Sequence, residues 1–179
     1  DGDGYSIGGN HFLHACRRNI DMTYVVMDNH IYGMTKGQPS PTTEPEFDTA
    51  LAPGGTGVRP FHPLVVALAS GANFIARCFS GEPNETADVL VEAIKHPGFS
   101  FVEILSPCVT FRPDERAWKD HVRPAPVAAT TDAGKAARRL MTDDGFNLGI
   151  LYRGNRAPFQ SSVMAKDVDL SELEKDFEL

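Results

Sequence analysis

The sequence predicts an α/β fold in which helices flank a mostly parallel sheet. Short apolar runs of strand length alternate with segments of helical periodicity over residues 1–111. An acidic, glycine-rich segment opens the chain, and an Asp-Asn pair, Asp28 and Asn29, follows the first apolar run. One helix and one strand fit between these two polar segments, as in an α/β crossover. In a parallel sheet, such a crossover brings both segments to the carboxyl-terminal edge, where ligands bind in this architecture.

The first elements follow from hydrophobic spacing and helix-end signals. A helix is predicted over residues 11–19, with Phe12 and Cys16 on its apolar side and two arginines near its C-terminus. A strand is predicted over 22–27. Residues 33–63 are loop-like and rich in Pro, Gly and Thr. Loops of this length are uncommon in compact domains unless they are functional or disordered. Because this one leaves directly from the Asp-Asn pair, we expect it to be functional.

The later elements are predicted in the same way. Up to residue 111 they are a helix over 63–71 between a proline and a glycine, a strand over 73–79, an amphipathic helix over 85–96 and an apolar strand over 99–105. Beyond it they are an irregular arm over 112–126, a helix over 132–141 capped by Asp132, a strand over 148–152 and a weak helix over 171–177. We expect residues 1–111 to form the domain and residues 112–179 to be a C-terminal extension that contacts another subunit.

Composition narrows the classes of function. The formal net charge of −7 argues against nucleic-acid binding, which usually needs a basic face. No apolar run approaches the ~20 residues of a membrane helix, so no membrane association is expected. Three cysteines are too few, and odd in number, for a disulfide scaffold. We therefore expect a reducing, cytoplasmic setting.

The two polar segments suit a magnesium ion that holds a diphosphate. Mg²⁺ takes six oxygen ligands and is usually bound through one or two carboxylates plus substrate phosphates. Asp1 can supply a carboxylate oxygen, Asn29 an amide oxygen and Ile31 its backbone carbonyl. The helix that begins near Gly9 would point free N–H groups at the anion. Four glycines are expected to approach the phosphates closely and to take positive φ, namely Gly2, Gly4, Gly8 and Gly9.

A calcium-binding loop is an alternative for the opening segment. Asp1-Gly-Asp-Gly-Tyr is similar to the start of an EF-hand loop. That loop needs an oxygen ligand at its fifth position and a bidentate Glu at its twelfth, where this chain has Tyr5 and Phe12. We therefore favour the magnesium-diphosphate site.

At these residues the chain resembles the thiamine-diphosphate-binding β subunit of the 2-oxoacid:ferredoxin oxidoreductases, most closely the 2-oxoglutarate branch. Five ordered segments carry the resemblance, which covers most of residues 1–123 and fades after them. They are Asp1-Gly-Asp-Gly with Ile7-Gly-Gly-Asn-His, Arg17-Arg-Asn-Ile-Asp, Asp28-Asn-His-Ile-Tyr-Gly-Met-Thr-Lys-Gly-Gln, Ser40-Pro-Thr and Leu105-Ser-Pro-Cys-Val-Thr-Phe. A lone Gly-Asp-Gly would be weak evidence, whereas five segments with the right gaps are specific.

The resemblance implies roles for further residues. Four of them match cofactor-contacting positions, namely Gly2, Asp3, Gly33 and Met34. Lys36 matches a lysine that takes part in handling coenzyme A, although a solvated surface lysine is the alternative. Cys108 matches a ligand of a 4Fe-4S cluster, and such clusters take four thiolates. Cys16 and Cys78 match no ligand position, so we expect the other ligands to lie outside this segment.

The implied activity is oxidative decarboxylation of a 2-oxoacid to acyl-CoA and CO₂, with electrons passed through the cluster to ferredoxin. The expected partner is an α subunit, in a heterodimer or heterotetramer whose active site lies at the subunit interface. Overall similarity favours 2-oxoglutarate as substrate, and pyruvate or a branched 2-oxoacid is the alternative. A glycine and a buried strand precede Asp1 in the family, so we expect the chain to be the C-terminal part of a longer subunit. Two other interpretations are a non-redox thiamine-dependent decarboxylase or synthase, and a scaffold subunit that has lost its cofactor.

Overall fold

The computed structural model describes residues 1–160 and shows one five-stranded sheet with helices on both of its faces. The helices are α1 (Gly2–Tyr5), α2 (Gly9–Arg18), α3 (Pro63–Ala69), α4 (Pro83–Lys95), α5 (Trp118–His121) and α6 (Ala133–Met141), with a 3₁₀ helix at Pro113–Ala117. The strands are β1 (Met22–Asp28), β2 (Ile31–Tyr32), β3 (Gln38–Pro39), β4 (Phe74–Phe79), β5 (Phe99–Leu105), β6 (Arg123–Pro124) and β7 (Asn147–Arg153).

The strand order of the main sheet is β1-β5-β4-β7-β6. Strands β1, β5 and β4 are parallel, whereas β7 runs antiparallel to β4 and is parallel to β6. Leu105 at the end of β5 is in register with both Asp28 of β1 and Phe79 of β4, so the carboxyl ends of the three strands lie level. The predicted α/β fold with a mostly parallel sheet is confirmed.

Both faces of the sheet bury apolar side chains. On one face, α2, α3 and α6 pack on the inner strands through Phe12, Leu64, Leu140, Ile75 and Phe101. On the other face, α4 packs through Ala93 against Phe74, Ala76, Val102 and Ile104. Every residue of β4 and β5 is buried, as expected for central strands that are covered on both sides.

The chain after residue 111 contributes to the same sheet. Strand β7 pairs with β4, and α6 packs against α3, so the predicted helix over 132–141 and strand over 148–152 are confirmed. The predicted irregular arm is more ordered than expected, since it contains a 3₁₀ helix, α5 and β6. The division at residue 111 and the subunit-contacting role stay predictions, and the helix predicted over 171–177 lies outside the described residues.

Within residues 1–160, no helix is long and apolar enough to cross a membrane.

Candidate active site

The opening residue lies beside the carboxyl end of β1. The Asp1 backbone nitrogen donates a hydrogen bond to the Met27 carbonyl oxygen at 2.9 Å. The Thr42 hydroxyl lies 3.3 Å from Asp1 Oδ2 and donates to Asp28 Oδ1 at 2.7 Å. Asn29 follows directly after β1. The structure therefore brings Asp1 and Asn29 to the same edge of the sheet, as the crossover predicts.

The glycine-rich segment touches the chain just beyond Asn29. Gly2 is buried, and a Cβ built on it would overlap the Tyr32 ring. Close approach therefore explains the need for glycine at this position. The expectation of positive φ at Gly2, Gly4, Gly8 and Gly9 is wrong, because residues 2–5 form the short helix α1 and Gly9 begins α2. The predicted start of a helix near Gly9 is confirmed.

Residues 28–31 form a tight turn at the end of β1. The His30 N–H donates to Asp28 Oδ1 at 3.0 Å, and the Ile31 N–H donates to Asn29 Oδ1 at 3.2 Å. His30 takes the left-handed conformation, with φ of 53°. An amide oxygen has two lone pairs, so Asn29 Oδ1 keeps one acceptor site for a further partner. Asp28 is 1% exposed, its Oδ2 has no hydrogen-bond partner, and burial raises its pKa.

The donor set at this edge fits a magnesium ion that completes its shell with phosphate oxygens. Within residues 1–160, no three His, Cys, Asp or Glu side chains are grouped as a metal site. The oxygen atoms that can serve as metal ligands here belong to the Asp1 carboxylate, the Asn29 amide and main-chain carbonyls. Such a set suits Mg²⁺, which commonly uses only one or two carboxylates beside a diphosphate. The ligand roles of Asp1, Asn29 and Ile31 stay predictions.

The hairpin β2–β3 carries three of the residues predicted to contact ligands. Its turn is closed by the Gly37 N–H, which donates to the Tyr32 carbonyl at 3.1 Å. Met34 is 98% exposed, and Lys36 is exposed with a left-handed φ of 61°. Gly33 lies in the same turn, and Asp3 is exposed on α1. Gly33 is half-buried, whereas Met34, Lys36 and Asp3 are exposed close in sequence to the predicted metal site. The contacts of these residues with a cofactor or coenzyme A stay predictions.

The loop over 33–63 is tied to the end of β1 by charged side chains. Glu44 Oε1 lies 3.1 Å from His30 Nδ1, and Arg112 donates to Glu44 Oε2 at 2.9 Å. The Arg112 guanidinium also stacks on the Phe47 ring at 3.8 Å. Burial alone would raise the pKa of Glu44, but the hydrogen bonds from His30 and Arg112 bring that pKa down to about 2. Sequence reasoning missed these partners, because their contacts join residues 14 and 68 positions apart.

Cys108 lies on the turn after β5, at the same edge of the sheet. Its N–H donates to Glu115 Oε2 at 2.8 Å, and its carbonyl accepts the Arg112 N–H at 2.7 Å. Its side chain is free and half-buried. By contrast, Cys16 and Cys78 are buried, and burial raises the pKa of these thiols to about 12 and about 11. The predicted placement of Cys16 on the apolar side of its helix is confirmed, and Cys78 is buried in β4. Cluster ligation by Cys108 stays a prediction.

A cavity of about 240 Å³ opens next to these groups. Its lining includes Asp28, His30, Glu44, Phe61, Leu64, Arg77, Glu103, Trp118, Asp143 and Phe146. Inside it, the buried Arg77 donates to Glu103 at 2.6 Å and to Asp143. Sequence reasoning missed this ion cluster. The signal that could have revealed it is the single charged residue in each of the otherwise mainly apolar strands β4 and β5.

The fold and this edge define a thiamine-diphosphate-binding domain. The family described as thiamine pyrophosphate enzyme, C-terminal TPP binding domain, matches residues 1–104, which is more than half of the chain. The chain therefore belongs to this family.

Within the family, the chain is similar to β subunits of 2-oxoacid:ferredoxin oxidoreductases, as the five motifs indicated. It is 48% identical over 110 residues to the 2-oxoglutarate synthase subunit KorB of Archaeoglobus fulgidus, covering 62% of this chain and 41% of that relative. It is 36% identical over 173 residues to the 2-oxoacid:ferredoxin oxidoreductase subunit beta of a Sulfolobus species, covering 88% of this chain and 57% of that relative. The resemblance inferred from the sequence is confirmed.

A solved structure has the same fold. It is the 2-oxoglutarate:ferredoxin oxidoreductase from Magnetococcus marinus with 2-oxoglutarate, coenzyme A and succinyl-CoA bound. The TM-score is 0.82 at 38% identity, over 98% of this chain and 60% of that chain. The present chain thus spans between about two fifths and three fifths of the length of these relatives.

Proposed function

We propose that the chain is the thiamine-diphosphate-binding part of the β subunit of a 2-oxoacid:ferredoxin oxidoreductase, with 2-oxoglutarate as the expected substrate. One observation carries the proposal. In a chain of the thiamine pyrophosphate enzyme family, Asp1 and Asn29 lie at one edge of the sheet, with Gly2 packed against Tyr32. The expected reaction converts the 2-oxoacid and coenzyme A to acyl-CoA and CO₂, with electrons passed to ferredoxin. The names of the relatives favour this over the non-redox decarboxylase or synthase.

In this proposal, residues at the carboxyl edge hold the cofactor. Asp1, Asn29 and the Ile31 carbonyl would bind Mg²⁺, which in turn would bind the diphosphate. The half-buried Gly33 and the exposed Met34, together with Gly2 and Asp3, would contact the cofactor. Bound thiamine diphosphate supplies an electron sink for decarboxylation.

Lys36 is proposed to bind a phosphate of coenzyme A. Two observations support this role. Lys36 is exposed on the hairpin next to the predicted metal site, and the Magnetococcus marinus relative has coenzyme A bound. An ammonium group is a suitable partner for a phosphate.

Cys108 is proposed to ligate a 4Fe-4S cluster through which electrons leave the site. It is half-buried at the edge that also carries Asp1 and Asn29, and burial sets the other two cysteines apart. A cluster takes four thiolates, so three ligands would come from outside the described residues. An α subunit is the proposed partner, and the cytoplasmic setting stays an expectation.

The test replaces each proposed magnesium ligand in the complete subunit, assembled with its partner. Asp1→Ala and Asn29→Ala should each weaken thiamine diphosphate binding at least about tenfold, since metal anchoring of a diphosphate depends on few protein ligands. Glu46→Ala, at an exposed position of the loop over 33–63, is the comparison and should have the smaller effect. Isothermal titration calorimetry gives the affinities, and parental affinity in both ligand variants would refute the metal site.

A second measurement addresses the cluster. Cys108→Ala should lose the electron paramagnetic resonance signal of the reduced cluster while thiamine diphosphate remains bound. Cys78→Ala is the matched control, because the Cys78 thiol is buried in β4. A complete cluster in the Cys108→Ala complex would contradict the assignment of Cys108.

A further inference from the structure

A continuous chain of polar contacts joins the end of β1 to the turn that carries Cys108. It begins at His30, whose ring lies 3.1 Å from Glu44, and continues from Glu44 to Arg112 at 2.9 Å. Arg112 Nη1 lies 3.5 Å from Glu115 Oε1. Glu115 in turn accepts the N–H of Cys108. Residues next to the predicted magnesium ligands are thus linked by side chains to the proposed cluster ligand.

Glu115 is the fully buried carboxylate in this series of polar contacts. It is 0% exposed, and its Oε2 accepts the Cys108 N–H at 2.8 Å. Its other oxygen has only the longer approach of Arg112. A carboxylate in such a place is costly, and an apolar residue of similar volume is often neutral or more stable. Stability alone therefore gives little reason for a glutamate here.

Arg112 holds the same turn from the other side. Its backbone N–H donates to the Cys108 carbonyl at 2.7 Å, so residues 112 and 115 together fix both main-chain polar groups of Cys108. Its buried guanidinium reaches Glu44 and Asp114, each at 2.9 Å, and stacks on Phe47. A planar guanidinium can bind several carboxylates in fixed directions, which a lysine cannot do.

We infer that Glu115 and Arg112 are positioning residues that fix the direction in which Cys108 presents its thiolate. Through Glu44 and His30, they also hold that thiolate in place relative to the turn that carries Asn29. The inference rests on the proposed function, in which Cys108 is a cluster ligand. Partners that hydrogen-bond around a metal ligand orient it, and replacing them commonly costs about 10- to 100-fold in metal affinity or activity.

The test uses the complete subunit assembled with its partner subunit and compares three variants. Glu115→Ala removes the acceptor of the Cys108 N–H, whereas Glu115→Gln keeps an uncharged acceptor oxygen in its place. Asp120→Ala is the control, since it removes an exposed carboxylate from the adjoining helix α5, outside this series of contacts. The measurements are the rate of iron release to a chelator, the electron paramagnetic resonance spectrum of the reduced cluster and the affinity for thiamine diphosphate.

Glu115→Ala should release iron about 10- to 100-fold faster than the parental complex and change the spectrum, with thiamine diphosphate affinity unchanged. Glu115→Gln should restore most of the parental spectrum, and Asp120→Ala should match the parental complex throughout. Parental iron release and spectrum in Glu115→Ala would overturn the inference. So would a Glu115→Gln complex that behaves like Glu115→Ala, because charge rather than the hydrogen bond to Cys108 would then be responsible.

Two further variants distinguish failure of the positioning role from failure of the proposed function. If Glu115→Ala does not assemble, Arg112→Lys keeps the charge but loses the planar fork, and it should also release iron faster. Parental release in that variant would equally overturn the inference. Cys108→Ala separates the inference from the function on which it rests. A complete cluster in Cys108→Ala refutes the proposed function, whereas loss of the cluster there with parental behaviour of Glu115→Ala refutes only the positioning role.

Discussion

Gly2 and Gly9 belong to the same glycine-rich segment but have different surroundings. A Cβ at Gly2 would overlap the Tyr32 ring, whereas one at Gly9 would have no atom within 4 Å. Gly2→Ala should therefore destabilise the fold by about 1–3 kcal/mol, as overpacking does. Gly9→Ala, at the first position of α2, should be neutral or stabilising by about 0.5–1 kcal/mol.

Urea unfolding of the two variants measures this difference. The double variant Gly2→Ala with Tyr32→Ala should recover part of the lost stability, because the clashing ring has been removed. Equal stability of Gly2→Ala and Gly9→Ala would show that the packing of Gly2 on Tyr32 is not a constraint.

Glu44 makes stability depend on pH. Its pKa is about 2 in the folded chain, against 4.5 for an ordinary glutamate, so the folded state favours the charged form. This contribution is fully present above pH 4.5 and is lost as the pH falls toward 2. The stability difference between the parental chain and Glu44→Gln should therefore shrink below pH 4.5.

The measurement is the free energy of unfolding between pH 7 and pH 3. Glu46→Gln, at an exposed position of the same loop, is the matched control. A parental advantage over Glu44→Gln that stays constant down to pH 3 would argue against the contacts of Glu44 with His30 and Arg112.

At the scale of single residues, sequence motifs identified the residues of the candidate site but not the residues that hydrogen-bond around them. Asp1, Asn29 and Cys108 could be proposed because they belong to short segments that match a known family and follow predicted strands. Glu44, Arg112 and Glu115 carry no local pattern, since their roles depend on contacts that form only after loop 33–63 folds over the sheet edge. The sequence also failed to predict which residues have a left-handed backbone conformation. Close packing explains Gly2 but not Gly9, and the left-handed residues other than glycine within residues 1–160 are Asn19, His30 and Lys36.

Strands β4 and β5 are joined on one face by charges as well as by apolar packing. Arg77 of β4 pairs with Glu103 of β5 and with Asp143, and all three side chains are less than 10% exposed. Removing one partner of such a group leaves buried charge without compensation. Arg77→Met should therefore destabilise the fold by about 3–5 kcal/mol.

Chemical unfolding of Arg77→Met tests this expectation. Arg153→Met is the matched control, because Arg153 lies at the end of β7 and pairs with the half-exposed Glu92. That change should cost only about 0–1 kcal/mol. A loss of stability in Arg77→Met no greater than in Arg153→Met would mean that the buried ion cluster does not stabilise the sheet.

At the scale of elements, hydrophobic periodicity predicted the helices and strands well where burial is one-sided or complete. Strands β4 and β5 and helix α4 were predicted close to their observed bounds, because apolar spacing and Pro-Gly stops are local signals. The 3₁₀ helix and α5 were missed, since they are short and polar and depend on the packing of Trp118 against Phe146. The hairpin β2–β3 was also missed, because each of its strands has only two residues.

For the molecule as a whole, the sheet requires the chain beyond residue 111. Strand β7 covers one edge of β4, and Leu140 of α6 belongs to the main core. A chain that ends at residue 111 would expose a buried strand edge and part of its apolar core, which promotes aggregation.

This consequence can be measured directly. The subunit shortened to end at residue 111 should appear in the insoluble fraction on expression, or lack a cooperative thermal transition, whereas the unshortened subunit should show both solubility and cooperativity. A soluble shortened chain with a cooperative transition would support residues 1–111 as an independent domain. The pairing of β7 with a strand some 70 positions earlier is a long-range choice that no local pattern in the sequence encodes.

The reversed direction of β7 has an evolutionary consequence. Because β7 runs opposite to β4, its first residues return to the rim where the parallel strands finish, and the preceding turn with Asp143 and Phe146 helps to line the cavity there. A longer turn here would therefore reshape the cavity lining without any change in the glycine-rich segment near the start of the chain. Diversity among relatives in what they admit to the site should accordingly concentrate at this late turn.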